Sequence, residues 1–333
     1  MDKAPIMAIV SVVGGFLIAL ILGKILIPAL RALKAGQSIR EVGPKWHNGK
    51  AGTPTMGGLM FIAASLLCIV TGWEAMRSGD YSHLLVLALA VMFGLIGFYD
   101  DFIKVKKKRN LGLTGVQKLL LQVLAAAVFL AAMHFTGALK YDLYIPFVKE
   151  PVVHVPELLY LAVAMFAIVG CVNAVNLTDG IDGLASGVTM PVMLFFTVVA
   201  LSQTTAHRGL ASFPAALLGG LGGFLCYNFY PAKVFMGDTG SLFLGGAVVG
   251  MAFALDMPLV LLLVGLVYIV ETLSDILQVG YFKLTHGKRI FKMAPIHHHF
   301  EMCGWSEKKI WTVFVLVTVL MCVVAWFGVR IWF

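Results

Sequence analysis

The sequence predicts an all-α integral membrane protein, a polytopic bundle of about ten transmembrane helices. Three observations carry this. Sixty per cent of the 333 residues are hydrophobic, only 13% are charged, and the mean hydropathy is +0.92, a composition far from that of soluble domains. Apolar runs of roughly 20 residues, the length that crosses a bilayer core as helix, recur along the chain. The basic residues alternate between connections, as they do when one set of loops stays in the cytoplasm. The same composition excludes a disordered chain, a disulfide-stapled scaffold and a nucleic-acid binder. The five cysteines, Cys68, Cys171, Cys226, Cys303 and Cys322, are scattered without C-x-x-C spacing and read as free thiols.

The expected spans are 6–30, 57–76, 84–99, 118–137, 157–175, 187–203, 213–230, 240–255, 259–281 and 310–329. The first is too long for a signal-peptide core and lacks a small-residue exit, so it reads as a retained span. The sixth contains Pro191 and the eighth is short and glycine-rich, which makes them the two weakest spans. The whole chain, 1–333, reads as a single transmembrane domain.

The connections 31–56, 100–117, 176–186, 231–239 and 282–309, with Lys118 at a span edge, hold 18 of the 25 Lys and Arg residues. The opposite connections and termini hold six: Lys3, Arg77, Lys140, Lys149, Arg208 and Arg330. The first set is therefore expected in the cytoplasm and both termini on the external side. Most of the +8 net charge is explained by topology, including the run Lys106, Lys107, Lys108, Arg109.

Topology gives no reason for acids to gather, yet Asp100, Asp101, Asp179, Asp182 and Asp238 all follow spans that run in the same direction. Parity alone places the five carboxylates at one cytoplasmic surface, where they would repel one another without a cation. Hard oxygen ligands suit Mg²⁺, which usually accompanies phosphate. Lys104 follows the Asp pair at D-D-x-x-K spacing, and Lys45 and Lys50 lie in the first cytoplasmic loop. An isolated interfacial Asp can simply cap a helix; five together point to a cytoplasmic-face active site.

In Asn173-x-x-Asn176-x-x-Asp179-x-x-Asp182 a polar group recurs every third residue, a spacing that in a helix turns several groups toward one ligand such as a base or sugar. Phe235-Met-Gly-Asp238-Thr-Gly-Ser241 reads either as an aromatic and a metal-binding carboxylate at a helix start or as a plain turn. Thr53 and Thr55 flank Pro54 ahead of span two, with no phosphate-loop pattern. His297, His298 and His299 cannot all face one way on a helix, so they are not a zinc site by themselves; beside Lys288, Arg289 and Lys292 they can meet phosphate. Glu271 and Asp275, at i, i+4 within span nine, are buried by sequence position and serve either function or polar satisfaction between helices.

These motifs, D-D at 100–101, N-x-x-N-L-T-D-G-I-D-G-L at 173–184, F-M-G-D-T-G-S at 235–241 and P-I-H-H-H-F-E at 295–301, resemble the polyprenyl-phosphate N-acetylhexosamine-1-phosphate transferases over the whole chain. The run Lys50 to Gly58 and the triple histidine are similar to the branch that uses a muramoyl-peptide donor. The resemblance implies transfer of phospho-N-acetylmuramoyl-pentapeptide from UDP-N-acetylmuramoyl-pentapeptide to undecaprenyl phosphate, giving lipid I and UMP with Mg²⁺, in the bacterial inner membrane and in a homodimer. It implies Asp238 as the principal Mg²⁺ ligand and Asp100 nearest the attacking lipid phosphate, with Asp101 and Lys104 beside them. The nucleotide pocket it implies comprises Lys50, Thr55, Asn173, Asn176, Asp179, Asp182, Asn228 and Phe235, with His297, His298 and His299 toward phosphate or sugar. A UDP-N-acetylglucosamine donor shares the aspartate motifs and is the nearest alternative. A secondary transporter fits less well, because the polar clusters lie at one surface and no inverted repeat is evident.

Cysteine labelling of intact cells is expected to find positions beside Lys106 and Lys288 protected and positions beside Lys149 and Arg208 reactive. External labelling at 106 would invert the topology.

Overall fold

A computed structural model describes residues 3–33, 50, 52–107, 109, 111–150, 153–203 and 208–332; Lys45 and Lys108 lie outside the described residues. The helices are α1 (Ala4–Ala32), α2 (Leu59–Ser65), α3 (Cys68–Thr71), α4 (Trp73–Arg77), α5 (Ser82–Lys107), α6 (Gly115–Phe135), α7 (Glu157–Thr178), α8 (Leu184–Ser202), α9 (Ser212–Asn228), α10 (Gly237–Ala254), α11 (Leu261–Val264), α12 (Leu266–Leu284), α13 (Ile296–Met302) and α14 (Glu307–Val329). A two-residue hairpin, β1 (Asp142–Leu143) with β2 (Val153–His154), is antiparallel. Eight of the helices (α1, α5 to α10 and α14) are long and apolar enough to cross a bilayer among the described residues. The chain is thus an all-α, multi-pass membrane protein, and its five cysteines are free thiols.

Two expected spans are not straight helices. Residues 57–76 fold as α2, α3 and α4, because the amides of Leu66 and Leu67 bond back three residues, to Ala63 and Ala64, and this tighter winding breaks the helix. Residues 259–281 bend by 80° at Gly265, between Pro258–Val264 (a 3-10 turn, Pro258–Val260, and α11) and α12. The two weak spans hold. Pro191 sits inside a continuous α8, and the glycine-rich α10 is the central helix, buried from Thr239 to Phe253.

Small residues explain that central position. Without a hydrophobic force between helices in lipid, close backbone approach and dispersion hold the bundle. A methyl at Gly245 would meet the Val172 Cα at 2.5 Å and one at Gly246 the Ala90 Cα at 3.0 Å, so α10 lies directly between α7 and α5. On the other side, α1 and α9 meet through Gly15, Gly219 and Gly223. The contacts among helix ends bring the C-terminal ends of α5, α7 and α9 together with the N-terminal ends of α6, α10 and α14, as parity requires. Lys3–Glu74 and Lys140–Asp256 pairs hold connections at the other end.

Gly223→Ala would place its methyl 2.5 Å from the Phe16 carbonyl oxygen, whereas at Gly222 the nearest atom is 3.4 Å away. Thermal unfolding in detergent is expected to show Gly223→Ala destabilised by roughly 1–3 kcal/mol and Gly222→Ala unchanged within about 0.5 kcal/mol. Equal behaviour of the two variants would contradict this packing.

Candidate active site

Asp100 and Asp101 occupy the last two turns of α5, and Asp238 the first turn of α10. The helices can bring them together because Gly97 lies against the Asp238 carbonyl with no space for a side chain. Gly237 has φ +71, and a side chain there would overlap the Asp101 carboxylate and the Thr55 hydroxyl. Only glycine suits that left-handed turn. One oxygen from each of Asp100, Asp101 and Asp238 then lies within 4.8 Å of the others.

Each carboxylate is fixed by donors. Asp100 Oδ1 accepts the Leu113 amide at 2.7 Å. Asp101 Oδ2 accepts the amide and hydroxyl of Thr239 at 2.9 and 2.7 Å. Asp238 Oδ1 accepts from Asn176 Nδ2 at 2.9 Å, and the same amide donates to Ser241 Oγ at 2.7 Å. Lys104 Nζ lies 2.6 Å from Asp100, 3.8 Å from Asp101 and 2.8 Å from Asp238. Lys118 Nζ adds a second ammonium 3.1 Å from Asp238. Two cations thus balance part of three clustered negative charges.

The other aspartates go elsewhere. Helix α7 stops at Thr178, so the every-third-residue spacing does not continue as helix and its groups diverge. Asn173 pairs with Gln122 of α6 at 2.8 Å. Asp182 takes Lys50 at 2.8 Å and the Ala232 amide at 2.8 Å. Lys50 also pairs with Glu307 at 2.7 Å, and Glu307 accepts the Asp182 amide at 3.1 Å. Asp179 stands between the two groups: burial raises its carboxyl well above the ordinary carboxylate range, and the charges of Asp238, Asp101 and Asp182 act the same way.

Residues 52–58 are tied through the backbone to the turn before α10. The Phe235 amide donates to the Pro54 carbonyl and its carbonyl accepts from Gly57, both at 2.8 Å, leaving Phe235 half-buried. Asn228 is buried; it donates to the Val234 carbonyl at 3.0 Å and accepts from Ser186 at 3.1 Å, so it braces the turn into α10. The three imidazoles take different partners, although the His297 and His298 rings lie 4.1 Å apart. His297 is buried on Glu271 at 2.9 Å, His298 pairs with Glu301 at 2.6 Å, and His299 Nδ1 accepts the Lys292 amide at 3.1 Å. Glu271 is fully buried, but Asp275 is half-exposed, a correction to the expectation that both are buried.

Lys118, Gln122 and Glu307 carry site contacts that sequence reasoning does not assign. Lys118 counts there only as topological charge, and Gln122 and Glu307 are not singled out. The available signal was position, since each sits at a span end on the face that holds the aspartates.

Residues 83–256 match the model of Glycosyl transferase family 4, and residues 50–62 match signature 1 of phospho-N-acetylmuramoyl-pentapeptide-transferase. The chain is 47% identical to the Clostridium acetobutylicum phospho-N-acetylmuramoyl-pentapeptide-transferase over 95% of its length and 97% of the relative's. The chain belongs to the phospho-N-acetylmuramoyl-pentapeptide-transferase family. The proteins of the same name from Clostridium perfringens and Carboxydothermus hydrogenoformans are each 49% identical, across 97% and 94% of this chain and 96% of each relative.

Hydrogen bonds to Asp182 and Glu307 outweigh the burial that opposes the Lys50 charge and hold its pKa above 10.5. A raised pKa means this stabilisation is complete below the unfolded lysine value and is lost only as pH climbs through the folded one. Lys50→Met leaves two acids unpaired, so unfolding between about pH 6 and 9 should show a loss on the order of 2–3 kcal/mol, allowing for the 19% of the Lys50 side chain still exposed. An unchanged melting temperature would contradict the coupling.

Proposed function

We propose that this chain transfers phospho-N-acetylmuramoyl-pentapeptide from UDP-N-acetylmuramoyl-pentapeptide to undecaprenyl phosphate, releasing UMP and forming lipid I for peptidoglycan synthesis. The observation that carries the reading is the convergence of Asp100, Asp101, Asp238, Lys104 and Lys118 at one end of a membrane bundle in a chain nearly half identical to transferases of that name. The relatives' names favour this over a transporter, and the signature at 50–62 favours the muramoyl donor over UDP-N-acetylglucosamine.

In the reaction an oxygen of the lipid phosphate attacks the sugar-bound phosphorus of the donor. A new P–O–P linkage forms, the bond to the uridine phosphate breaks, and UMP departs with the electron pair. The acceptor phosphate is already ionised, so no proton has to be removed from it. Catalysis then rests on positioning and charge neutralisation. Lys104 and Lys118 supply positive charge beside Asp238, and Asp100, held by the Leu113 amide and Lys104, orients the acceptor side.

The donor set suits Mg²⁺: its atoms are carboxylate oxygens, and Lys104 already places one positive charge among all three acids. Asp238 would be the principal ligand, with Asp100 and Asp101 adjacent. Mg²⁺ held there would supply Lewis-acid neutralisation of the diphosphate oxygens. Lys50, Thr55, Asn176, Asp179, Asp182 and Phe235 are proposed to bind the nucleotide, with Phe235 beside the uracil and Asn173 and Asn228 as bracing residues. The histidines lie toward phosphate or sugar. A cytoplasmic location of this face, external termini and a homodimer in the inner membrane belong to the same proposal.

Purified protein with undecaprenyl phosphate is expected to release UMP from UDP-N-acetylmuramoyl-pentapeptide and little from UDP-N-acetylglucosamine; the opposite preference would reassign the donor. Asp182→Asn should weaken binding of donor and of free UMP together while leaving the metal response similar. Unchanged UMP affinity would remove Asp182 from the nucleotide site.

A further inference from the structure

Helix α12 buries one stripe, Val267, Tyr268, Glu271, Ser274 and Gln278, and two polar members of it hold the loop that follows. Gln278 Oε1 accepts the amides of Ile290 and Phe291, each at 3.0 Å, and its Nε2 donates to the Phe291 carbonyl at 2.9 Å. Two turns earlier, Glu271 Oε2 meets His297 Nδ1 at 2.9 Å with both side chains wholly buried. Both polar atoms of Gln278 have partners, whereas one polar atom of each member of the Glu271–His297 pair does not. Glu271 Oε1 and His297 Nε2 are buried with no hydrogen-bond partner among the described residues. Leaving such groups unsatisfied carries their full desolvation penalty, and an apolar pair of similar volume often holds helices as well.

A carboxylate only accepts, so Nδ1 carries the proton and Nε2 is the free ring atom. That atom faces Gly180, the residue between Asp179 and the Asp182 turn, where any side chain would overlap the ring. His298 and His299 are not wholly buried, and each has a ring nitrogen engaged within its own loop.

We propose that Glu271 is a positioning residue for the transfer reaction: it holds His297 by Nδ1 so that the unprotonated Nε2 is presented to the Asp179–Asp182 turn, as an acceptor for a hydroxyl or amide N–H of the donor engaged there. The inference rests on the proposed donor site. Glu271 touches no substrate itself and acts through the imidazole, which it fixes in one tautomer and one orientation.

Full-length Glu271→Gln, His297→Asn and the double variant separate this from a structural role. Asn places its amide where Nδ1 lies and can keep the bond to Glu271, but it has nothing at Nε2. His297→Asn is expected to fold and melt like the parent while kcat falls roughly tenfold or more. Glu271→Gln should lower kcat with donor KM and UMP affinity within about twofold of the parent. The double variant should be no slower than His297→Asn alone, because one residue works through the other. A His297→Asn enzyme of near-parental turnover, a Glu271→Gln enzyme of parental kcat, or multiplied losses in the double variant would overturn the assignment. If Glu271→Gln does not fold, His297→Asn decides alone. A parent that releases no UMP from the donor would instead refute the proposed function.

Discussion

Three carboxylates within 4.8 Å of one another at the end of a low-dielectric bundle repel strongly unless positive charge is placed among them. The rest of the arrangement follows from this constraint. Lys104 comes from the same helix as Asp100 and Asp101, one turn on, so α5 carries part of its own compensation. Lys118 comes from the next helix and reaches Asp238, which ties α5, α6 and α10 at one end. The glycines that let α5 and α10 touch, Gly97 above all, are therefore as necessary to the cluster as the charges are.

Beside this centre lies a second group with a different logic. Lys50, Asp182 and Glu307 balance one ammonium against two acids and join the first loop, the turn after α7 and the start of α14. Asp179 links the two fields, its charged form opposed by burial and by the acids around it. Such a division suits a transfer between two phosphorylated substrates: one group to hold a nucleotide, the other to neutralise charge where the phosphorus changes partners. The third layer, α12 with α13, meets the turn between them through His297.

Much of this was legible in the sequence because membrane topology converts spacing into position. Knowing only that alternate spans run in opposite directions places Asp100, Asp101, Asp179, Asp182 and Asp238 at one end, and the structure keeps them there. What parity cannot give is which acid takes which partner. Asn173 and Asn176 are equally polar, yet α7 turns one to Gln122 and the other to Asp238, and the helix ends before Asp182. Glu307 and Lys118 look ordinary because capping and topology already account for acids and bases at span ends. The break of residues 57–76 into short helices was hidden for another reason: hydropathy records length and composition, whereas the break lies in two tightened backbone turns.

The most direct test of the central claim, that the Asp238 carboxylate anchors the metal-dependent transfer centre, is Mg²⁺ titration of turnover for Asp238→Asn in the same detergent as the parent protein. The amide keeps the size of the side chain and removes the anionic ligand. Loss of about 4 kcal/mol of transition-state stabilisation would slow turnover roughly a thousandfold, with UMP affinity retained and the fold intact. Near-normal turnover with an unchanged Mg²⁺ response would contradict the account and move the metal to Asp100, Asp101 or Asp179.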